Sequence, residues 1–166
     1  MRQLLILCSG NSARSIMAEA LINHRSGKRL RAYSAGSHPK AEPHPMALKC
    51  LAEAGIDTAG LHSKSWDTFT GAQAPRLDLV LTVCDAAAGE ACPLFPGNAQ
   101  RVHWGLPDPP AGVSDEERWE RFCAVRDALQ ARIDALLTIP DADWDRDDFA
   151  QRVSALHHRL PQPLTA

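Results

Sequence analysis

A stretch of twelve residues decides the fold: Leu4-Leu5-Ile6-Leu7-Cys8-Ser9-Gly10-Asn11-Ser12-Ala13-Arg14-Ser15. The apolar run from Leu4 to Leu7 is short and continuous, which is typical of a central parallel strand that is covered on both faces. Beyond the loop, apolar residues recur at spacings of three and four from Met17 until Ser26-Gly27, which predicts a helix. The stretch therefore predicts a strand, a loop and a helix in series.

The rest of the chain repeats this alternation. We predict further strands at residues 29–35, 77–83 and 101–104, the last one short and near the edge, and helices at residues 45–54, 114–139 and 147–160. The stretch from Asp85 to Asn98 is rich in Ala, Gly and Pro, which indicates a mobile loop. Alternating strands and helices predict an α/β fold with a small, open, parallel four-stranded sheet and helices on both faces.

The length, charge and cysteine content of the chain disfavour several classes of function. A chain of 166 residues fits one domain, and its formal charge of -2 gives no reason to expect a nucleic-acid partner. The apolar start is too short for a signal peptide or a membrane span, so we expect a cytoplasmic protein with no membrane partner. Five cysteines, an odd number without an export signal, favour reactive thiols over a disulfide framework. No cysteine pair has the spacing of a zinc knuckle, so we expect no structural metal.

The loop between the first strand and the first helix is suited to an oxyanion. Successive backbone N–H groups at such a junction point inward at the positive end of a helix dipole and form a nest for a tetrahedral anion. Gly10 permits the close turn, and Asn11 tolerates a left-handed conformation. The predicted oxyanion-binding residues are Ser9, Gly10, Asn11, Ser12, Ala13 and Arg14.

Cys8 and Arg14 carry the predicted chemistry of this loop. The planar guanidinium of Arg14 can fold over the anion and donate two parallel hydrogen bonds. An arginine and a helix N-terminus beside Cys8 favour its thiolate, so we expect a lowered pKa and a nucleophilic Cys8. Ser15 could add one hydrogen bond to that thiolate.

The sequence resembles the low-molecular-weight tyrosine phosphatases and the arsenate reductases built on the same fold. The resemblance covers residues 1–140, a phosphatase-like catalytic domain, and leaves 141–166 as a C-terminal extension with one helix and a tail. The matching segments are Cys8 to Ser15, Met17-Ala18-Glu19, Tyr33-Ser34-Ala35-Gly36, Val83-Cys84-Asp85, Cys92-Pro93, His103-Trp104-Gly105 and Asp108-Pro109. By resemblance Asp108 is the general acid, which protonates the departing oxygen.

Cys84 and Cys92 favour the reductase branch. Both flank the carboxyl end of the third strand, the edge where open parallel sheets bind ligands. They resemble the second and third redox cysteines of the thioredoxin-coupled arsenate reductases, which serve arsenic detoxification. The resemblance implies that Cys84 resolves the adduct on Cys8 and that Cys92 then attacks Cys84, each by thiol–disulfide exchange. Cys50 and Cys123 lie on apolar helix faces and are predicted to be core or near-core residues.

Alternatives stay open at this point. A phosphotyrosine or small-phosphoester phosphatase would need only Cys8, Arg14 and Asp108, and a non-catalytic anion-binding protein would need less. The tyrosines that typically follow the Asp-Pro pair in the phosphatases are replaced by Pro110-Ala111-Gly112, which favours the reductase. Arsenate is then the substrate, and the electron donor is thioredoxin, glutaredoxin or a small-molecule thiol.

The family resemblance also bears on cofactors and on a potassium site near the loop. We expect no tightly bound cofactor, and the electrons come from an external thiol. In some family members, side chains at positions that match Asn11, Glu19 and Ser34 help to hold a potassium ion near the loop. The carboxylate expected after His62-Ser63 is replaced here by Ser65, with Asp67 as an offset substitute, so the chain departs from the family at this point.

Overall fold

A computed structural model describes residues 1–109 and 111–163. Its four strands are β1 (Arg2–Leu7), β2 (Leu30–Ala35), β3 (Leu77–Thr82) and β4 (Gly97–His103). They form one parallel sheet in the order β2-β1-β3-β4. The helices are α1 (Arg14–Arg25), α2 (Pro45–Glu53), α3 (Asp85–Ala88), α4 (Asp115–Leu137) and α5 (Phe149–Arg159). The predicted fold class is confirmed.

Two elements differ from the sequence-based expectation. Strand β4 is longer than predicted, because its first half pairs with β3 at the sheet edge without the apolar run of a central strand. The segment predicted to be a mobile loop begins with the single helical turn α3. Cys84 caps this turn, since its sulfur accepts a hydrogen bond from the amide of Ala87 at 3.3 Å.

The two faces of the sheet are covered differently. The larger core lies on the face that packs against α1, α2, α4 and α5, and the alternate side chains Leu4 and Ile6 of β1 point into it. On the other face Leu5 and Leu7 meet Phe69, from the 3-10 helix Trp66–Phe69, and the segment around Cys92 and Phe95. Strand β1 is therefore buried on both sides, which gives its carboxyl end a rigid support.

The C-terminal segment completes the larger core. Helix α5 packs against β4 and α4 and buries Phe149 and Val153. The indole N–H of Trp104, just after β4, donates to the carbonyl oxygen of Val153 at 3.0 Å. The fully buried guanidinium of Arg132 on α4 donates to the Nδ1 atom of His157 at 2.8 Å. The division of the chain at residue 140 stays a prediction.

No helix in residues 1–109 and 111–163 is both long enough and apolar enough to cross a membrane.

Candidate active site

Cys8 directly follows the central strand β1 and opens the loop that leads to α1. Its side chain is buried, with 6% exposure. The carbonyl oxygens of Ser9, Gly10 and Ser12 accept hydrogen bonds, each 2.9 Å long, from the backbone N–H groups of residues 38, 40 and 44. Because these carbonyls are held on the outside, the loop N–H groups are turned towards its centre, as a bound oxyanion requires.

The conformation of the loop explains two of its residue types. Asn11 has a φ of 42°, in the left-handed region that asparagine tolerates. Gly36, at the end of β2, packs against the loop so closely that a Cβ atom there would lie 2.4 Å from the carbonyl oxygen of Ser9. Any larger residue at position 36 would push the loop out of place.

Helix α1 contributes its N-terminus to the site. Ala13 precedes the helix and supplies no side-chain cap, and the first turn carries no acidic residue. The unsatisfied N–H groups at this end and the helix dipole therefore remain available to an anion. Fully buried Ser15 accepts a hydrogen bond from the side-chain amide of Asn11 at 2.8 Å, so its observed partner is Asn11, and a hydrogen bond to Cys8 stays a prediction.

Arg14 connects the loop to the segment that contains the predicted general acid. One terminal nitrogen donates to the carbonyl oxygen of Leu106 at 2.8 Å, and the other lies 3.3 Å from a carboxylate oxygen of Asp108. The Nε atom is buried and has no hydrogen-bond partner within the described part of the chain. The guanidinium thus holds Asp108 at the loop and keeps one donor unused. Arg14 could donate two parallel hydrogen bonds to an anion only after its contact with Asp108 breaks.

Asp108 lies on the rim of the site. Its side chain is 72% exposed, and its observed charged neighbour is Arg14. A carboxyl group in this position has access both to solvent and to the loop, which is what a proton donor to a departing oxygen needs. Its role as general acid stays a prediction.

Cys84 is brought against Cys8 by the neighbouring strands β1 and β3. Its sulfur accepts the amide hydrogen of Ser9, the residue after Cys8, at 3.4 Å, as well as that of Ala87. Cys8 and Cys84 also interact with each other, because each shifts the pKa of the other. Two of the three predicted relay cysteines therefore form one pair in the folded protein.

The two thiols of this pair have opposite pKa shifts. The hydrogen bond with Cys8, the amides of Ala87 and Ser9 and the charge of Arg14 lower the pKa of Cys84 to about 5, against the effect of burial. The hydrogen bond with Cys84 and burial raise the pKa of Cys8 above its ordinary value, although Arg14 acts in the opposite direction. The two coupled thiols share one proton, so the lowered pKa belongs to the pair, and the lowered pKa expected for Cys8 stays a prediction.

Cys92 lies apart from this pair. It is half-buried and packs with Phe95 on the opposite face of the sheet, whereas Cys8 and Cys84 belong to the larger core. It also lines a cavity of about 260 Å³ beside Thr82 and His103, at the ends of β3 and β4. Helix α3 lies between Cys84 and Cys92 along the chain.

Glu90 is a site residue that the sequence did not reveal. Its carboxylate accepts a hydrogen bond from the hydroxyl of Ser9 at 2.8 Å and lies 3.9 Å from His38. Hydrogen bonds from Ser37 and Ser9 lower the pKa of Glu90. The contact ties the segment after α3 to the oxyanion loop across 81 positions, a separation at which no local sequence signal exists.

The ammonium group of Lys64 lies beside the residues that the family resemblance associates with a potassium ion. This ammonium lies 3.8 Å from the carboxylate of Glu19, which also accepts a 2.5 Å hydrogen bond from Ser34. The backbone N–H of Lys64 donates to the side-chain oxygen of Asn11 at 2.9 Å. Since the oxygen atoms that would bind potassium already have partners and a cation of the chain lies beside them, these residues do not fit a potassium ion.

Comparison with known proteins agrees with this geometry. The family model described as "Low molecular weight phosphotyrosine protein phosphatase" matches residues 3–148. An arsenate reductase of Halalkalibacterium halodurans is 41% identical over 128 residues, which cover 76% of this chain and 88% of that protein.

Solved structures give the same picture. The thioredoxin-dependent arsenate reductase of Corynebacterium glutamicum aligns with a TM-score of 0.61 and 27% identity over 82% of this chain. The alignment spans 60% of the length of that longer chain. A low-molecular-weight protein tyrosine phosphatase of T. tengcongensis aligns with a TM-score of 0.63 and 25% identity, covering 82% of this chain and 98% of that one.

The match begins at the second residue of β1 and extends through the nucleophile loop, the relay segment and the long helix α4. On these grounds the chain belongs to the low-molecular-weight phosphotyrosine protein phosphatase family.

Proposed function

We propose that this protein is an arsenate reductase, in which Cys8 attacks arsenate and Cys84 resolves the adduct. One observation carries the proposal: Cys84 lies beside Cys8, where its sulfur accepts the amide hydrogen of Ser9 at 3.4 Å, and the contacts at this position lower its pKa. A phosphatase needs one nucleophilic thiol and a water molecule, and it has no use for a second acidic thiol at this position. The relatives named arsenate reductase support this choice.

In the first step, the loop N–H groups and the Nε atom of Arg14 bind the arsenate oxygens. The sulfur of Cys8 forms a bond to arsenic, and one arsenic–oxygen bond breaks. Asp108 protonates the departing oxygen, which leaves as water, and the proton given up by the Cys8 thiol replaces the one that Asp108 has lost. Preorganised donors of this kind stabilise the charge that develops on the oxyanion.

In the second step, the thiolate of Cys84 attacks the sulfur of Cys8. A disulfide forms between them, the sulfur–arsenic bond breaks, and its electron pair stays on arsenic, which is reduced from As(V) to As(III) and leaves as arsenite. In the adduct Cys8 no longer has a proton to donate, so the amides of Ala87 and Ser9 and the charge of Arg14 are the groups that favour the thiolate of Cys84.

In the third step, Cys92 attacks Cys84 and frees Cys8. The sulfur of Cys92 must cross from the other face of the sheet, and we propose that α3 unwinds once the thiolate of Cys84 no longer caps it. An external dithiol then reduces the disulfide between Cys84 and Cys92. Thioredoxin is the proposed donor, in line with the relative from C. glutamicum, and the cytoplasm is the proposed compartment.

The proposal is tested by measuring arsenite formation with thioredoxin, with glutaredoxin and without a donor. Cys84→Ala should stop multiple turnover of arsenate but leave hydrolysis of a small aryl phosphate nearly intact. Cys92→Ala should release about one arsenite per enzyme and then accumulate as a Cys8–Cys84 disulfide, which mass spectrometry of alkylated peptides identifies.

The same two variants separate the candidate functions. If the native protein forms no arsenite with any donor but hydrolyses aryl phosphates, the phosphatase alternative replaces the reductase. If arsenite forms at the native rate in both variants, the internal relay is wrong and an external thiol must resolve the adduct on Cys8.

A further inference from the structure

A second pair of thiols lies outside the site described above. Cys50 on α2 is fully buried, Cys123 on α4 is half-buried, and their sulfur atoms are 3.6 Å apart. The sequence predicts both as core or near-core residues, and nothing in the relay uses them. The packing of α2 against α4 holds the pair, and Arg126 on α4 adds a 2.9 Å hydrogen bond to the carbonyl oxygen of Cys50.

We propose that Cys50 and Cys123 form a binding site for trivalent arsenic, the product of the proposed reduction. Arsenous acid, As(OH)₃, exchanges hydroxide for thiol sulfur without any change of oxidation state. Two As–OH groups and two S–H groups become two As–S bonds and two molecules of water, so no oxidant is required. One arsenic atom can bridge the two sulfurs only if both thiols face each other at close range, as they do here.

A groove between the same two helices lies one helical turn away from the pair. A cavity of about 460 Å³ is lined by Met46 and Lys49 of α2 and by Trp119 of α4. Met46 precedes Cys50 by four residues, and Trp119 precedes Cys123 by four, so each thiol continues the helix face that lines the cavity. Arsenous acid is small and uncharged, and it can therefore reach the more exposed sulfur first and then bond to the buried one.

The protonation state of the pair distinguishes trivalent arsenic from a divalent metal. Burial, together with the hydrogen bond to Cys123, raises the pKa of Cys50 to about 12. A zinc ion would have to displace the protons of both thiols into solution, which a raised pKa opposes. Arsenous acid takes up those protons in the water that it releases, so the same raised pKa carries no net penalty.

The test requires a protein in which arsenic cannot bind to the relay thiols. The full chain with Cys8→Ser, Cys84→Ala and Cys92→Ala keeps only Cys50 and Cys123. This triple variant is reduced with a phosphine, titrated with sodium arsenite and followed by intact-protein mass spectrometry and near-ultraviolet arsenic–sulfur absorption. Because the site is separate from the relay and arsenite is added directly, the result is independent of whether the protein reduces arsenate.

We expect one arsenic atom per chain, bound about 100-fold or more tightly than by either thiol alone, because the second sulfur acts at a high effective concentration. Adding Cys123→Ser should abolish this binding, and its circular dichroism verifies the fold. A matched control combines Cys123→Ser with Ala124→Cys, which keeps the number of thiols but turns one by about 100° around the helix. This control should not bind arsenic bidentately.

Four results would overturn the proposal, and the first three are the absence of an arsenic adduct on the triple variant, unchanged binding after Cys123→Ser, and equal binding by the control with the displaced thiol. Zinc chloride serves as the comparison probe. Zinc binding tighter than arsenite binding at pH 7 would also overturn it, since the raised pKa would then not select between the two.

Discussion

The paired thiols of Cys8 and Cys84 lead to a quantitative prediction about Cys84. Replacing Cys8 by Ala removes the hydrogen bond that contributes most to the lowered pKa of Cys84. The pKa of Cys84 should therefore rise from about 5 towards its ordinary value. The amides of Ala87 and Ser9 still donate to the sulfur and lower this pKa, and burial acts against them.

The size of the effect follows from the titration. At pH 6 a cysteine with a pKa of about 5 is about 90% thiolate, whereas an ordinary cysteine is about 0.3% thiolate. Between pH 6 and pH 8 the alkylation rate of Cys84 should thus rise by about 10%, while that of an ordinary cysteine rises about 80-fold. A thiolate of lower pKa is intrinsically less nucleophilic, and Cys84 is buried, but both factors scale the rate equally at every pH.

The measurement is the pH dependence of iodoacetamide labelling at each cysteine, read by peptide mass spectrometry after short exposure. The native protein should show a nearly flat profile at Cys84 above pH 6, and Cys8→Ala should shift its midpoint to higher pH. Cys92→Ala is the control and should leave the profile in place. A steep rise at Cys84 between pH 6 and pH 8 in the native protein, or a midpoint that Cys8→Ala does not move, would refute the reasoning.

Three further predictions concern the acid, the cation position and the C-terminal segment. Asp108→Asn should slow arsenate reduction by about 10²–10⁴-fold because it removes the donated proton. Asp127 is an exposed carboxylate on α4, so Asp127→Asn serves as the control. Equal rates in the two variants would mean that Asp108 does not act as the general acid. Since Lys64 supplies the cation beside Glu19, replacing potassium by sodium at constant ionic strength should leave kcat and KM of the native protein unchanged, and a potassium-dependent rate would contradict this. Burial, with the charge of Arg132, lowers the pKa of His157 from 6.5 to about 4, so the unfolded chain binds the proton first. The stability that neutral His157 provides is complete above pH 6.5 and is lost as pH falls towards 4, by about 2 to 3 kcal/mol. Urea unfolding at pH 7 and pH 4.5 measures this loss, which His157→Gln should reduce; the same loss in that variant would assign it to other groups.

Local pattern was enough to predict the strand, loop and helix around Cys8, because each signal lies within a few residues of the structure that it specifies. Strand β4 was underestimated because an edge strand is half-exposed and lacks a continuous apolar run. Helix α3 was missed because one turn of four residues, Asp85–Ala88, has no periodicity to detect. Its cap is a cysteine sulfur, which no capping rule includes.

The candidate site likewise has a part that the local sequence predicts and a part that it does not. The oxyanion loop and Arg14 are contiguous in sequence and were predicted together. The contacts of Glu90 with Ser9 and of Lys64 with Glu19 depend on chain segments that meet only after folding. The distribution of the proton between Cys8 and Cys84 likewise depends on burial and on the distance between two strands, neither of which is written in any local motif.

The contact between Trp104 and α5 sets a lower limit on how far the chain can be trimmed. Trp104 stands four residues before Asp108, and its indole is anchored on the carbonyl of Val153. A protein cut after Pro140 would lose this anchor, expose a large aromatic surface and release one end of the segment that carries Asp108. A minimal enzyme engineered from this sequence should therefore retain α5, although α5 supplies no group to the reaction.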